Sequence, residues 1–147
     1  ASDVNGMVIG GHSDKGMLPL IEKAVRNSVP VSEFLSEERM TQVVEDTKVG
    51  GATLTGLLGT SAWYAPGAAV SALVQAIGCD QKKMFPCSAL LEGEFGLNDI
   101  SIGVPCILGA NGIEEIVEIE LNDSEKAKLM ESAEGVKKTN GLLEVNA

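Results

Sequence analysis

The spacing of hydrophobic positions changes twice along this chain. Val4 to Ile9 is a short apolar run that predicts a strand ending at Gly10-Gly11. Leu20 to Val25 is a second apolar segment, open between helix and strand, closed by a turn around Asn27-Ser28-Val29-Pro30. The period then lengthens. Ser36 is placed to cap a helix, with Glu37 and Glu38 in the first turn, where the helix dipole favours negative charge. Met40, Val43, Val44 and Thr47 recur at the spacing of one helix face. Gly50-Gly51 weakens this helix without ending it, and Leu54, Leu57 and Leu58 resume the face. Gly59-Thr60-Ser61 and Pro66 predict an interruption, because proline lacks a backbone donor and crowds the preceding turn. Gly67 to Ile77, "GAAVSALVQAI", is small and apolar throughout and predicts a helix buried on several sides.

Strand signals dominate the second half. Met84 to Glu92 predicts a strand, with Pro86 placing it near an edge or a bulge. Ile100 to Leu108 predicts another, Ala110-Asn111-Gly112 a turn, and Ile113 to Leu121 a third strand with apolar and acidic residues alternating. Asn122 followed by Glu125 has the form of a capping box. It opens a helix carrying Ala127, Met130, Ala133 and Val136 to about Lys138, after which "TNGLLEVNA" should fray. The order is strand, helices, antiparallel strands, helix. That order predicts an α+β fold, with antiparallel strands packed against long helices, and not a doubly wound parallel sheet. No repeat or linker divides residues 1–147, so a single domain is expected.

Composition narrows the function classes. One domain of 147 residues can bury one continuous core, and 44% hydrophobic with 22% charged residues is a globular balance. With one Trp, one Tyr and three Phe, that core must rest on aliphatic side chains. The net charge is −10, and no basic cluster exceeds Lys82-Lys83 or Lys137-Lys138. A nucleic-acid surface needs concentrated positive charge to displace counterions, so no nucleic-acid partner is expected. The same balance speaks against an anionic membrane surface, and no apolar run approaches the roughly 20 residues of a span. Ala1-Ser2-Asp3 lacks the basic and apolar regions of a signal peptide. The missing initiator Met suggests processing or a piece of something longer. Cys79, Cys87 and Cys106 are odd in number and lack CxxC spacing, which predicts buried free thiols in a reducing cytoplasm.

Candidate chemistry centres on His12, the only histidine, in "VIGGHSDKGMLPL". The chain has no G-x-G-x-x-G fingerprint for a dinucleotide. Gly11 and Gly16 fit a P-loop frame, but Met17-Leu18 stands where lysine and hydroxyl should follow. His12 and Asp14 offer two metal ligands where a catalytic zinc wants three, so no metal site is expected. A G-x-S-x-G elbow is absent, and the pairs Glu37-Glu38 and Glu114-Glu115 fit solvated surface. A histidine after two glycines can nevertheless reach a ligand, and an imidazole with a pKa near about 6.5 can exchange protons at neutral pH. On these residues alone, acid/base catalyst and inert loop residue both remain open, the second being commoner.

A resemblance favours the first. "GGHSDKGMLPL" is similar to the G-G-H-G-D-x-x-x-P-L active-site loop of the malate and lactate dehydrogenase family. "VGGATLTGLLGTSAWYAPGAAVSALVQAI" (49–77) resembles the family's substrate-domain helices, "SAWYAP" being close to the "SAYYAP" of the malate branch. Residues 82–127 continue the likeness through the antiparallel strands into the last helix, so the resemblance covers nearly the whole chain in order. It implies the C-terminal, substrate-binding domain of an NAD-dependent oxidoreductase that interconverts malate and oxaloacetate, in a cytoplasmic homo-oligomer. By position it makes His12 the proton acceptor and donor, Ser61 and Ala62 part of the loop over the substrate, and Asp14 a structural residue. Ser13 replaces the usual glycine and would strain the loop if that position takes positive φ. Lys15-Gly16 is a second departure.

The resemblance also implies what is not in this sequence. NAD would be bound mainly by an N-terminal nucleotide-binding domain absent from this chain. The aspartate that orients the histidine and the arginines that grip the dicarboxylate would come from there too. Arg26 and Arg39 lie outside the matching motifs, and a charge of −10 repels a dianion, so the chain alone should be inactive. Two other readings keep the fold: a non-catalytic binding or oligomerisation module, and a lactate-type 2-hydroxy acid dehydrogenase domain. A metal-dependent hydrolase around His12 and Asp14 would instead carry stoichiometric metal.

Overall fold

The computed structural model describes residues 3–143. Among the described residues, five strands are followed by two α-helices, three more strands and a last α-helix, and every strand pairing is antiparallel, in keeping with an α+β fold. The first sheet is small: β1 (Val4–Asn5), β4 (Val25–Arg26) and β5 (Val29–Pro30) pair in the order β1-β4-β5. Asn27 and Ser28, both at positive φ, form its tight turn where the Asn-Ser-Val-Pro signal stood. The larger sheet runs β3 (Met17–Pro19), β2 (Val8–Gly10), β7 (Asn98–Gly109), β6 (Lys83–Glu92), and β8 (Gly112–Ile116) pairs with β7. Pro86 therefore sits on an edge strand, opposite Pro105, where its missing N–H costs no central ladder bond.

The core lies between this sheet and α3 (Asp123–Asn140). Ile100, Ile102, Val104 and Cys106 of β7 meet Leu129 and Ala133 of α3, all at most 1% exposed. Fully burying a side chain such as Leu129 contributes about 1.5–3 kcal/mol. The capping box forms as expected: Asn122 Oδ1 accepts from Glu125 N–H, and Glu125 Oε2 accepts from Asn122 N–H, both at 2.9 Å. Lys23 closes on the same Glu125 carboxylate at 3.7 Å and fastens the helix start to the N-terminal segment.

Several expectations need correction. The run Val4 to Ile9 is not one strand but two, in different sheets, parted at Gly6-Met7. The expected strand Ile113 to Leu121 stops at Ile116: Ile119 N–H turns back onto the Val117 carbonyl at 3.0 Å, and Ile119 and Leu121 fold onto the core. The inward line of α3 is Leu129, Ser132, Ala133 and Val136, whereas Ala127 and Met130 face outward. The helix continues to Asn140, so the start of the expected frayed tail is helical, and residues 144–147 lie outside the described part.

The central helices depart further. α1 (Glu37–Leu58) starts as expected, with Ser36 Oγ accepting from Arg39 N–H at 3.3 Å, and runs unbroken through Gly50-Gly51. It ends at Gly59, whose φ of 67° suits glycine. Pro66 does not make the break. It lies in the first turn of α2 (Tyr64–Gly78), where an absent N–H leaves no helical bond unmade. α2 is also not buried on several sides: Ala76 alone of its residues is buried. Its small and apolar sequence is presented to the surface of this chain.

Candidate functional site

β2 carries the chain to His12 and β3 takes it away, Gly10 facing Met17 where the two strands close. Gly10 has φ +90° and pairs with Gly103 of β7. A Cβ on Gly103 would stand 2.6 Å from the Gly10 carbonyl oxygen, so the loop base docks on the sheet only because a side chain is missing there. Ser13 is not in the left-handed region, and the strain considered for it does not arise. It organises the turn instead. Its carbonyl accepts from Gly16 N–H at 3.0 Å and Met17 N–H at 2.9 Å, and its hydroxyl accepts from Gly16 N–H at 2.9 Å.

His12 is exposed at the tip of this turn and borders two open grooves. One, of about 490 Å³, runs between the loop and the end of α3, past Lys15, Glu131, Gly135 and Thr139. The other, of about 600 Å³, crosses the sheet beside Val8, Met17, Cys87, Ser88 and Gly103. Asp14 is exposed in the same loop and lines neither groove. Ser61 and Ala62 lie in the connection between α1 and α2, Ser61 exposed and Ala62 half-buried, and they line neither groove. The described chain therefore does not bring them together with His12 around one cavity.

The groove residues limit the chemistry. Burial pushes the Cys87 thiol up, and burial beside Cys87 pushes Cys106 up to about 11, so both stay protonated and are poor nucleophiles. Cys79 is exposed, contrary to the expectation that all three thiols are buried. Lys15 is the one cation lining the grooves, opposed by Glu131. Arg26 is engaged elsewhere, with Nε 3.0 Å from Asp3 Oδ2 and the guanidinium over the Phe34 ring. No three His, Cys, Asp or Glu side chains among the described residues group to hold a metal ion. A dinucleotide does not fit the residues present either. The described strands pair only antiparallel, and no G-x-G-x-x-G turn joins one to a helix.

Ser132 was missed by sequence reading. It is buried on α3, accepts from Gly11 N–H at 2.8 Å and donates to the Gly16 carbonyl at 2.8 Å. The available signal was a serine inside a helix, beside Leu129 and Ala133, where a hydroxyl needs a partner.

These features define an α+β domain that presents its one histidine, exposed, on a glycine-bounded turn. The chain belongs to the lactate/malate dehydrogenase, alpha/beta C-terminal domain family, whose pattern it matches over residues 1–142. It is 61% identical over 143 residues to the malate dehydrogenases of Flavobacterium frigidimaris and Bacteroides fragilis, which covers 97% of this chain and 46% of each relative. Its fold matches malate dehydrogenase from Salinibacter ruber with a TM-score of 0.92 at 43% identity, over 95% of this chain and 46% of that one. It also matches lactate dehydrogenase from Eimeria maxima, solved with NADH and oxamate, with a TM-score of 0.90 at 38% identity, over 95% of this chain and 45% of that one. The chain thus spans about half the length of its relatives. The family resemblance and the α+β fold expected from sequence are both borne out.

Proposed function

We propose that this chain is the substrate-binding and proton-handling part of an NAD-dependent malate dehydrogenase. The observation that carries the reading is His12, exposed on a turn fixed at both stems, in a chain 61% identical to malate dehydrogenases. In malate oxidation the His12 imidazole takes the hydroxyl proton while the carbinol C–H leaves as hydride, and C–O becomes C=O. In reverse, the imidazolium returns that proton to the oxygen of oxaloacetate. The hydride would pass to NAD held by a nucleotide-binding domain outside residues 1–147, since the described residues form no dinucleotide cradle. That domain also supplies the charge that orients His12 and grips the dicarboxylate, since no described side chain hydrogen-bonds the imidazole and Lys15 alone is cationic beside it.

Ser61 and Ala62 close over the substrate once that domain is in place. The apolar face of α1 and α2, with Leu57, Trp63, Tyr64 and Val74 exposed, supports packing against that domain or a second copy in a homo-oligomer. Three free thiols suit the cytoplasm, and no helix among the described residues is long and apolar enough to cross a membrane. The test is NADH oxidation by oxaloacetate, measured on this chain alone and on the chain joined to its nucleotide-binding half. The joined protein should turn over and the chain alone should not. A joined protein that prefers pyruvate would move the chain to the lactate branch, and one inactive with both would favour a non-catalytic module.

A further inference from the structure

The His12 turn is held from a distance of more than a hundred residues. Gly11, directly before His12, and Gly16, which closes the turn, make no hydrogen bond to each other, yet each is bonded to the same atom, Ser132 Oγ. One hydroxyl accepts at one stem and donates at the other, so both its donor and an acceptor site are used and its rotation is fixed. The site is also tight. A Cβ on Gly11 would stand 3.3 Å from Ser132 Oγ and 3.1 Å from Val136 Cγ2, so the stem lies directly on the helix. Ser132 itself is 5% exposed, between Leu129 and Ala133 of the core. The position of the turn is therefore referred to the buried core.

We propose that Ser132 is a positioning residue for His12: its hydroxyl holds the two stems of the turn in register and so fixes where the imidazole meets the substrate. This rests on His12 being the proton acceptor. Ser132 touches no reacting atom and acts only through the backbone of Gly11 and Gly16. Its removal leaves a buried N–H and a partly buried C=O without their partner, which loosens the turn and leaves the core packing in place. Displacement of an acid/base group by about 1 Å can cost about a hundredfold in rate.

The test uses Ser132→Ala and Ser132→Thr, with two kinds of readout. In the 147-residue chain, amide hydrogen exchange at Gly11 should quicken about tenfold or more in S132A, while the Leu129 and Val104 amides are unchanged. In the joined, full-length protein, S132A should lower kcat for malate oxidation about ten- to a hundredfold. KM for NAD should stay the same, and the solvent deuterium isotope effect should rise as proton transfer becomes limiting. S132T keeps the hydroxyl and should recover most of the loss. A general structural role would instead lower thermal stability and speed exchange throughout α3, with no change in the isotope effect, and would overturn the proposal. So would an unchanged kcat in S132A when His12→Asn is inactive. If His12→Asn keeps full activity, the reading of His12 itself fails, whatever Ser132 does.

Discussion

The sheet with α3 and the pair α1–α2 use apolar residues in opposite ways. In the first region the apolar face is closed within the chain, from Ile9 and Leu18 at one edge to Leu91 and Leu129. In the second, α1 has no buried residue and α2 has one, although Leu57 is 81% exposed and Trp63 73%. The His12 turn grows from the closed region and is bonded to it on both sides. Ser61 and Ala62 belong to the open one. The proposed site is therefore split between the two regions: the His12 turn is built on the closed core, and Ser61 and Ala62 lie beside the face that this chain leaves open.

The sharpest way to break that contrast is by truncation. Leu129→Ala should destabilise the isolated chain by about 2–5 kcal/mol in chemical denaturation, because it opens a cavity in the closed core. Val74→Ala, at an apolar position of the same kind on α2, should change it by no more than about 0.5 kcal/mol. Equal losses at both sites would mean that α2 is buried after all. If another surface covers α2 in the joined protein, V74A should be costly there, which would locate that surface on this face. The cap of α3 comes next: Asn122→Ala should cost about 1 kcal/mol, read as a lower denaturation midpoint at an unchanged slope.

The smallest effect is electrostatic. A backbone bond from Ala110, then Lys82, holds the Asp80 carboxyl below its ordinary value, and Lys82, then Asn111, does the same for Glu114. Lys82 is in turn held above its ordinary value by Glu114 and Asp80. The depressed carboxyls stabilise the fold above the ordinary carboxylate range, and that contribution disappears as pH falls through their folded values. All three groups are exposed, so the contribution is small. Lys82→Gln should make the acid limb of a stability–pH curve shallower and leave the α3 cap untouched.

What could be read from the sequence was mostly local. The Ser36 and Asn122 caps, the Asn27-Ser28 turn and the edge position of Pro86 depend on a few neighbouring residues, and each appears where its signal stood. Burial did not follow so simply. A run such as "GAAVSALVQAI" says that a face must be covered and does not say by what, so a helix read as buried is open in this chain. The end of β8 was missed because Val117 and Ile119 keep an alternating pattern while the backbone turns. The candidate site divides in the same way. The exposure of His12 on a turn was legible because Gly10 and Gly11 adjoin it in sequence. Ser132 was not, because its partners lie 121 and 116 residues away.

The proposed proton exchange by His12 in malate oxidation is best tested by substituting that residue in the joined protein. His12 is exposed, so His12→Asn should leave the melting temperature and KM for NAD essentially unchanged. The kcat for malate oxidation should fall by about 10²–10⁴-fold. Turnover within about twofold of the parent, in a protein that still melts normally, would contradict the assignment.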